Sequence, residues 1–137
     1  MITKDLNEND NSIWLGMSDY RLILKQSNHE ILMKYIGEPP HGDSYHQIEL
    51  NGKLLKGYYW GCMFLFPSMQ RYMVASWMEK LFERKTIIVD FKLKLYTVLD
   101  KYWYDFKEID DKIVLINKAT EEVETINLTK INDWLDL

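Results

Sequence analysis

The stretch from Gly61 to Leu99, GCMFLFPSMQRYMVASWMEKLFERKTIIVDFKLKLYTVL, constrains the fold more than any other part of this chain. It holds four apolar runs, Cys62–Phe66, Tyr72–Met78, Thr86–Phe91 and Leu95–Leu99. Polar gaps separate them at Pro67–Arg71, Glu79–Lys85 and Lys92–Lys94. Each run is rich in aromatic and β-branched residues and too short for a stable helix, so the pattern predicts four consecutive antiparallel strands. Pro67 has no N–H to give to a sheet ladder and Ser68 favours a turn, which places the first break between them.

The flanking segments extend the same reading. Ile13–Leu15 is a short strand, and Tyr20–Lys25 pairs through a turn at Ser27–His29 with Glu30–Ile36, whose Ile31, Met33 and Tyr35 share one face. The two prolines of Gly37–Asp43 stiffen a loop that cannot be a central strand. Tyr45–Leu50 and Lys53–Tyr59 form a hairpin around Asn51-Gly52, both of which tolerate the positive φ of a type I′ turn. Gly57 marks a bulge or bend in the returning strand. After the aromatic-dense segment Lys101–Phe106, Lys112–Asn117 and Glu122–Leu128 form a last hairpin. A short helix from Thr129 to Leu135 would be capped by Thr129 and place Ile131, Trp134 and Leu135 on one side. The expected fold is all-β: one domain of 137 residues, an antiparallel meander of blade-like hairpins in an open stack or sandwich, with a short C-terminal helix. Residues 1–12 are polar and expected to be a flexible arm.

Composition narrows the class. With 47% hydrophobic and 14% aromatic residues the chain is a folding one. A single cysteine, Cys62, excludes an internal disulfide, and in its apolar run it reads as a buried thiol. No run approaches the roughly 18 apolar residues of a membrane span and there is no apolar leader, so a cytoplasmic protein is expected. The net charge of −4 is uneven: residues 1–50 carry −4, residues 51–99 carry +5 and residues 100–137 carry −5. Acidic ends suit a basic partner and repel nucleic-acid phosphates.

Two resemblances follow from the motifs. Phe66–Trp77, FPSMQRYMVASW, followed by Arg84–Asp90, RKTIIVD, resembles the inner strands of a β-propeller blade, with Met69 and Gln70 where such blades usually carry Asp-Gly. At roughly 40 residues per blade the chain has room for about three, too few to close a propeller. More broadly, Gly37–Gln47 (GEPPHGDSYHQ), Trp60–Cys62 (WGC) and the strands after them resemble the immunity proteins of bacterial contact-dependent growth inhibition systems. That resemblance implies a cytoplasmic protein without catalytic activity or cofactor. It would bind the C-terminal toxin domain delivered by a neighbouring cell, here expected to be a basic nuclease.

Candidate contacts come from loop chemistry. In the proline-stiffened loop, Tyr45 and His46 beside Glu38, His41 and Asp43 make an amphipathic anchor. Glu49, Asp110, Asp111, Glu121 and Glu122 supply carboxylates that mimic phosphate charge. His41, His46 and Asp43 lack the spacing of a metal site, and no nucleophile, Walker or dinucleotide motif accompanies them or His29. The aromatic clusters Tyr58–Trp60 and Tyr102–Tyr104 suit a core better than a base-stacking platform. The expected function is occlusion of a toxin's active site without direct nucleic-acid or membrane contact. The alternative is a blade-like scaffold that self-associates through open edges.

Overall fold

The computed structural model describes residues 1–38, 44–81 and 83–137. The first eleven residues hold β1 (Ile2–Leu6), followed by β2 (Ser12–Trp14), β3 (Tyr20–Leu24) and β4 (His29–Gly37). Next come β5 (Tyr45–Leu50), the two-residue β6 (Lys53–Leu54), β7 (Tyr58–Leu65), β8 (Tyr72–Met78), β9 (Lys85–Asp90) and β10 (Leu95–Val98). The last part forms β11 (Asp105–Ile109), β12 (Lys112–Asn117), β13 (Glu122–Asn127) and β14 (Leu135–Asp136). The main sheet runs β1-β3-β4-β5-β7-β8-β9-β10-β14, with β2 beside β7 and β6 beside β5, and β11-β12-β13 form a second sheet. The fold is all-β, with antiparallel pairing throughout except between β1 and β3.

The four strands read from Gly61–Leu99 are β7 to β10, paired as an antiparallel meander. They are part of a larger sheet, joined by β5 on one side and β14 on the other, and not a separate blade. The main sheet curls about one core, into which Leu6, Leu22, Ile31, Ile48, Tyr59 and Met73 all point. Contacts reach across the curl: the His29 and Phe91 rings lie 5.4 Å apart, and Lys53 Nζ donates to the Leu137 carbonyl at 2.6 Å. The small sheet covers the other face of β7 to β9, closing a second core of Leu65, Tyr72, Val74 and Ile88 against Trp103, Phe106, Ile113 and Leu115. β8 therefore has every residue buried. This is why YMVASWM is a continuous apolar run without the alternation of a half-exposed strand.

Two glycines shape β7. At Gly61 (φ +80) the pairing with β8 slips; Trp60, also buried, lies on the face opposite Tyr59, whereas Phe64 joins the main core and Leu65 the second core. Gly57 (φ +77) ends the departure from β6, and a Cβ there would lie 2.4 Å from Trp77 Nε1, which donates to the Lys56 carbonyl at 3.0 Å. Gly57→Ala is therefore expected to cost about 2–3 kcal/mol, combining a left-handed backbone with displacement of a buried indole. Urea denaturation with tryptophan fluorescence measures it.

Three expectations change. The N-terminal arm is ordered: Ile2–Leu6 pairs in parallel with Tyr20–Leu24, and Leu6 is buried in the main core. The returning strand after Asn51-Gly52 stops at Leu54, because Leu55 turns into the core and the chain re-enters as β7. The C-terminal helix is one 3-10 turn, Leu128–Lys130, capped by Asn127, whose Oδ1 accepts from Thr129 N at 3.1 Å. Thr129 is not its cap, and Leu135 pairs with Tyr96 as β14.

Candidate functional site

The site grows out of the break at Pro67. Ser68, Met69 and Gln70 have φ of 54°, 57° and 64°, one turn of left-handed backbone made from three residues with side chains. Each such residue costs about 1–2 kcal/mol relative to a right-handed conformation, so the surroundings must hold the turn. Gln70 does much of this. Its side chain is fully buried. Its Oε1 accepts from Gln26 N at 3.0 Å, and its Nε2 donates to the carbonyls of Leu6, Asn7 and Asp10 at 3.1, 3.0 and 3.0 Å. From the other side, Ser68 N donates to Glu108 Oε2 at 2.8 Å, and Asn11 Nδ2 donates to Glu108 Oε1 at 3.2 Å. Glu108 thus ties the small sheet to both the turn and the loop between β1 and β2.

With Gln70 pulled inward, Met69 is pushed out and stands 72% exposed. It lies on the rim of two shallow clefts. The first, about 520 Å³, is lined by Glu8, Asn11, Met69, Glu108, Asp110 and Asp111 among others, and among the described residues no lysine or arginine lines it. The second, about 440 Å³, shares Met69, Asp110 and Asp111 and adds Tyr72 and Lys112. Asp110 and Asp111 are the two-residue turn between β11 and β12, with φ of 49° and 62°. Aspartate tolerates the type I′ geometry, and the turn holds both residues exposed beyond the ladder. Four carboxylates therefore line one cleft beside an exposed apolar side chain.

The other residues singled out from the sequence do not join them. Glu121 and Glu122 sit at the opposite end of β12, roughly 20 Å away at the rise of a strand. Glu122 is engaged there, with Lys101 Nζ at 2.6 Å holding its carboxyl below the usual carboxylate range. Glu49 lines a separate groove with Leu32, Lys34 and Leu54. Glu38 is exposed at the end of β4 and Tyr45 is half-buried, its ring edge-on to Tyr58 at 5.6 Å. His41 and Asp43 lie outside the described residues. His46 is a correction to the amphipathic anchor: its ring is fully buried on the core face of β5, with Nε2 on the Ser18 carbonyl at 2.8 Å. It offers a partner nothing on the surface.

The aromatic clusters split by strand alternation. Tyr59 and Trp103 are core, whereas Trp60 stacks on Tyr102 at 5.3 Å beneath the Arg84 guanidinium. The stack pins the segment before β11 to the sheet. Among the described residues no three His, Cys, Asp or Glu side chains converge as a metal site, and no helix is long and apolar enough to cross a membrane. Glu8, Glu108 and Met69 were not legible as site residues. The one sequence signal near them was Met69-Gln70 standing where a blade turn has Asp-Gly. No protein-family model, curated protein or solved structure matches this chain.

Proposed function

We propose that this protein is an inhibitor by occlusion, of the immunity-protein kind its sequence resembles, and that its acidic cleft covers the basic substrate cleft of a toxin domain. The observation that carries this reading is the cleft of Glu8, Glu108, Asp110 and Asp111 with Met69 exposed at its rim. The carboxylates supply complementarity to a phosphate-binding surface, and Met69 supplies an adaptable apolar contact at the edge of the charged cleft. The turn that presents Met69 is held by buried and part-buried hydrogen bonds, so little ordering remains to be done on binding. A nuclease whose active site faces these carboxylates is blocked by charge and shape together, without chemistry on the inhibitor's part.

The test is co-expression with the product of the gene immediately upstream. Growth rescue and an equimolar complex are expected, and absence of both removes the proposal. Within that complex, the double substitution Asp110→Asn with Asp111→Asn is expected to slow association about tenfold at low salt and to change dissociation much less. The difference should close at about 0.5 M salt as screening shortens to a few ångströms. Stopped-flow association rates across a salt series measure it. Self-association that rises with protein concentration, with no such complex, would favour the scaffold alternative.

A further inference from the structure

The imidazole of His46 is fully buried, and only one of its nitrogens is used. Nε2 lies 2.8 Å from the Ser18 carbonyl, so it carries the proton and donates. Nδ1 is therefore a bare lone pair, buried and without a hydrogen-bond partner. The titratable groups that face the ring are Tyr20 of β3 at 6.1 Å, Tyr35 of β4 at 5.9 Å and Tyr59, its register partner on β7. Asp19 joins them from the loop between β2 and β3. Ser44, two residues earlier and just before β5, is buried with its Oγ also unpartnered. None of these accepts a hydrogen bond from Nδ1.

The segment held by His46 holds other things in turn. Gly16 N donates to the Tyr20 hydroxyl at 2.9 Å and Ser18 N to the Gly16 carbonyl at 3.0 Å. The Asp19 carbonyl accepts from Ile2 N at 3.0 Å at the start of β1, and Asp19 Oδ1 accepts from Tyr35 N at 2.8 Å beside the irregularity between Tyr35 and Gly37. One imidazole thus fastens a loop that secures the parallel edge strand and the end of β4.

We propose that His46 is a pH-operated latch: protonation at mildly acidic pH opens the segment around Ser18 and loosens β1 with it. A second N–H on the ring has no acceptor in the closed fold, and the added charge is buried, so the imidazolium is accommodated only when the loop lifts and admits water. Burial holds the imidazole below its ordinary value of 6.5, with the Ser18 and Asp19 contributions opposing more weakly. The sign follows from which state binds the proton. The opened state takes it up below about pH 6.5 and the closed state does not, so latch stability is complete above that pH and is lost as pH falls. This inference does not depend on what the acidic cleft binds.

Hydrogen exchange followed by mass spectrometry, corrected for intrinsic rates, tests it on the full chain at about pH 7.5 and about pH 5.5. Peptides covering 1–6 and 15–20 are expected to lose protection by up to about tenfold at the lower pH, the ratio set by one pH unit below the reference value. His46→Gln, whose amide still donates, is expected to remove that difference, and His29→Gln to keep it. Equal protection at both pH values in the unmodified protein, or a difference that persists in His46→Gln, overturns the proposal. Should His46→Gln fail to fold, a proton NMR titration of the unmodified protein decides. The His46 ring is expected to titrate together with the Ile2 and Tyr35 amides, and amides that stay unmoved through its titration overturn the latch.

Discussion

Replacing Gln70 with leucine is expected to lower stability by about 4 kcal/mol, the largest single effect in the molecule. Leucine approximates the volume but removes one acceptor and both amide hydrogens. Gln26 N and the Asp10 carbonyl lose their partner together, while the Leu6 and Asn7 carbonyls lose a second bond and keep those from Lys25 N and Asp10 N. Each buried backbone group left unsatisfied costs about 1–3 kcal/mol, and some regain water because the loop after β1 is exposed. The left-handed turn also loses the side chain that holds it, so Met69 and the cleft are expected to shift with it. Gln70→Glu should be at least as damaging, since it aims a carboxylate at three carbonyl oxygens. Urea denaturation reads the stability, and proteolysis of the loop between β1 and β2 reads the local release. A loss below about 1 kcal/mol for Gln70→Leu would show that the turn is held by something else.

Asp90→Ala is expected to cost nearly as much, about 3–4 kcal/mol. Asp90 is 2% exposed at the end of β9 and receives the Arg71 guanidinium through two bonds, at 3.1 and 2.8 Å. Its Oδ1 also accepts from Lys92 N at 3.0 Å and Leu93 N at 3.3 Å, shaping the turn into β10. Removing the carboxylate leaves a guanidinium without its acceptor and two turn amides unpaired, and breaking a buried pair from one side costs about 3–5 kcal/mol. Arg71 keeps partial access to water, which softens the loss. Arg71→Ala strands a buried carboxylate that still has two backbone donors, so it is expected to cost less than Asp90→Ala. Equal losses from the two substitutions would mean that the ion pair, and not the turn, carries the effect. Thermal unfolding of both variants in one buffer makes the comparison.

These two side chains also show where sequence reading stops. Asp90 was legible as the end of a strand but not as the hub of a turn, because its partner Arg71 lies 19 positions away, just before the neighbouring strand β8. Gln70 stood out only as an unexpected residue at a turn. Its partners are 44 to 64 positions away, in segments whose own sequence gives no sign of the contact. The N-terminal arm was misread for the same reason. ITKDL is exposed at all but Leu6, and a parallel pairing with β3 leaves no local signature such as a tight turn. The C-terminal helix was a periodicity of three apolar residues that the contact between Leu135 and Tyr96 satisfied as a strand instead.

What residue order by itself determined is local: the strands, their antiparallel pairing and their turns. Alternating or continuous apolar runs set strand faces. Asn51-Gly52 and Asp110-Asp111 accept positive φ, which closes two hairpins whatever the rest of the chain does. Tertiary structure alone decided which of the many carboxylates share a cleft. Packing of the small sheet on the outer face of β7 to β9 brought Asp110 and Asp111 to Met69, and left Glu121 and Glu122 at the far end. The bond from Ser68 to Glu108 spans 40 positions, and that from Gln70 to Leu6 spans 64. Such contacts form because buried polar groups must be paired, and which groups are buried together depends on how the sheets stack.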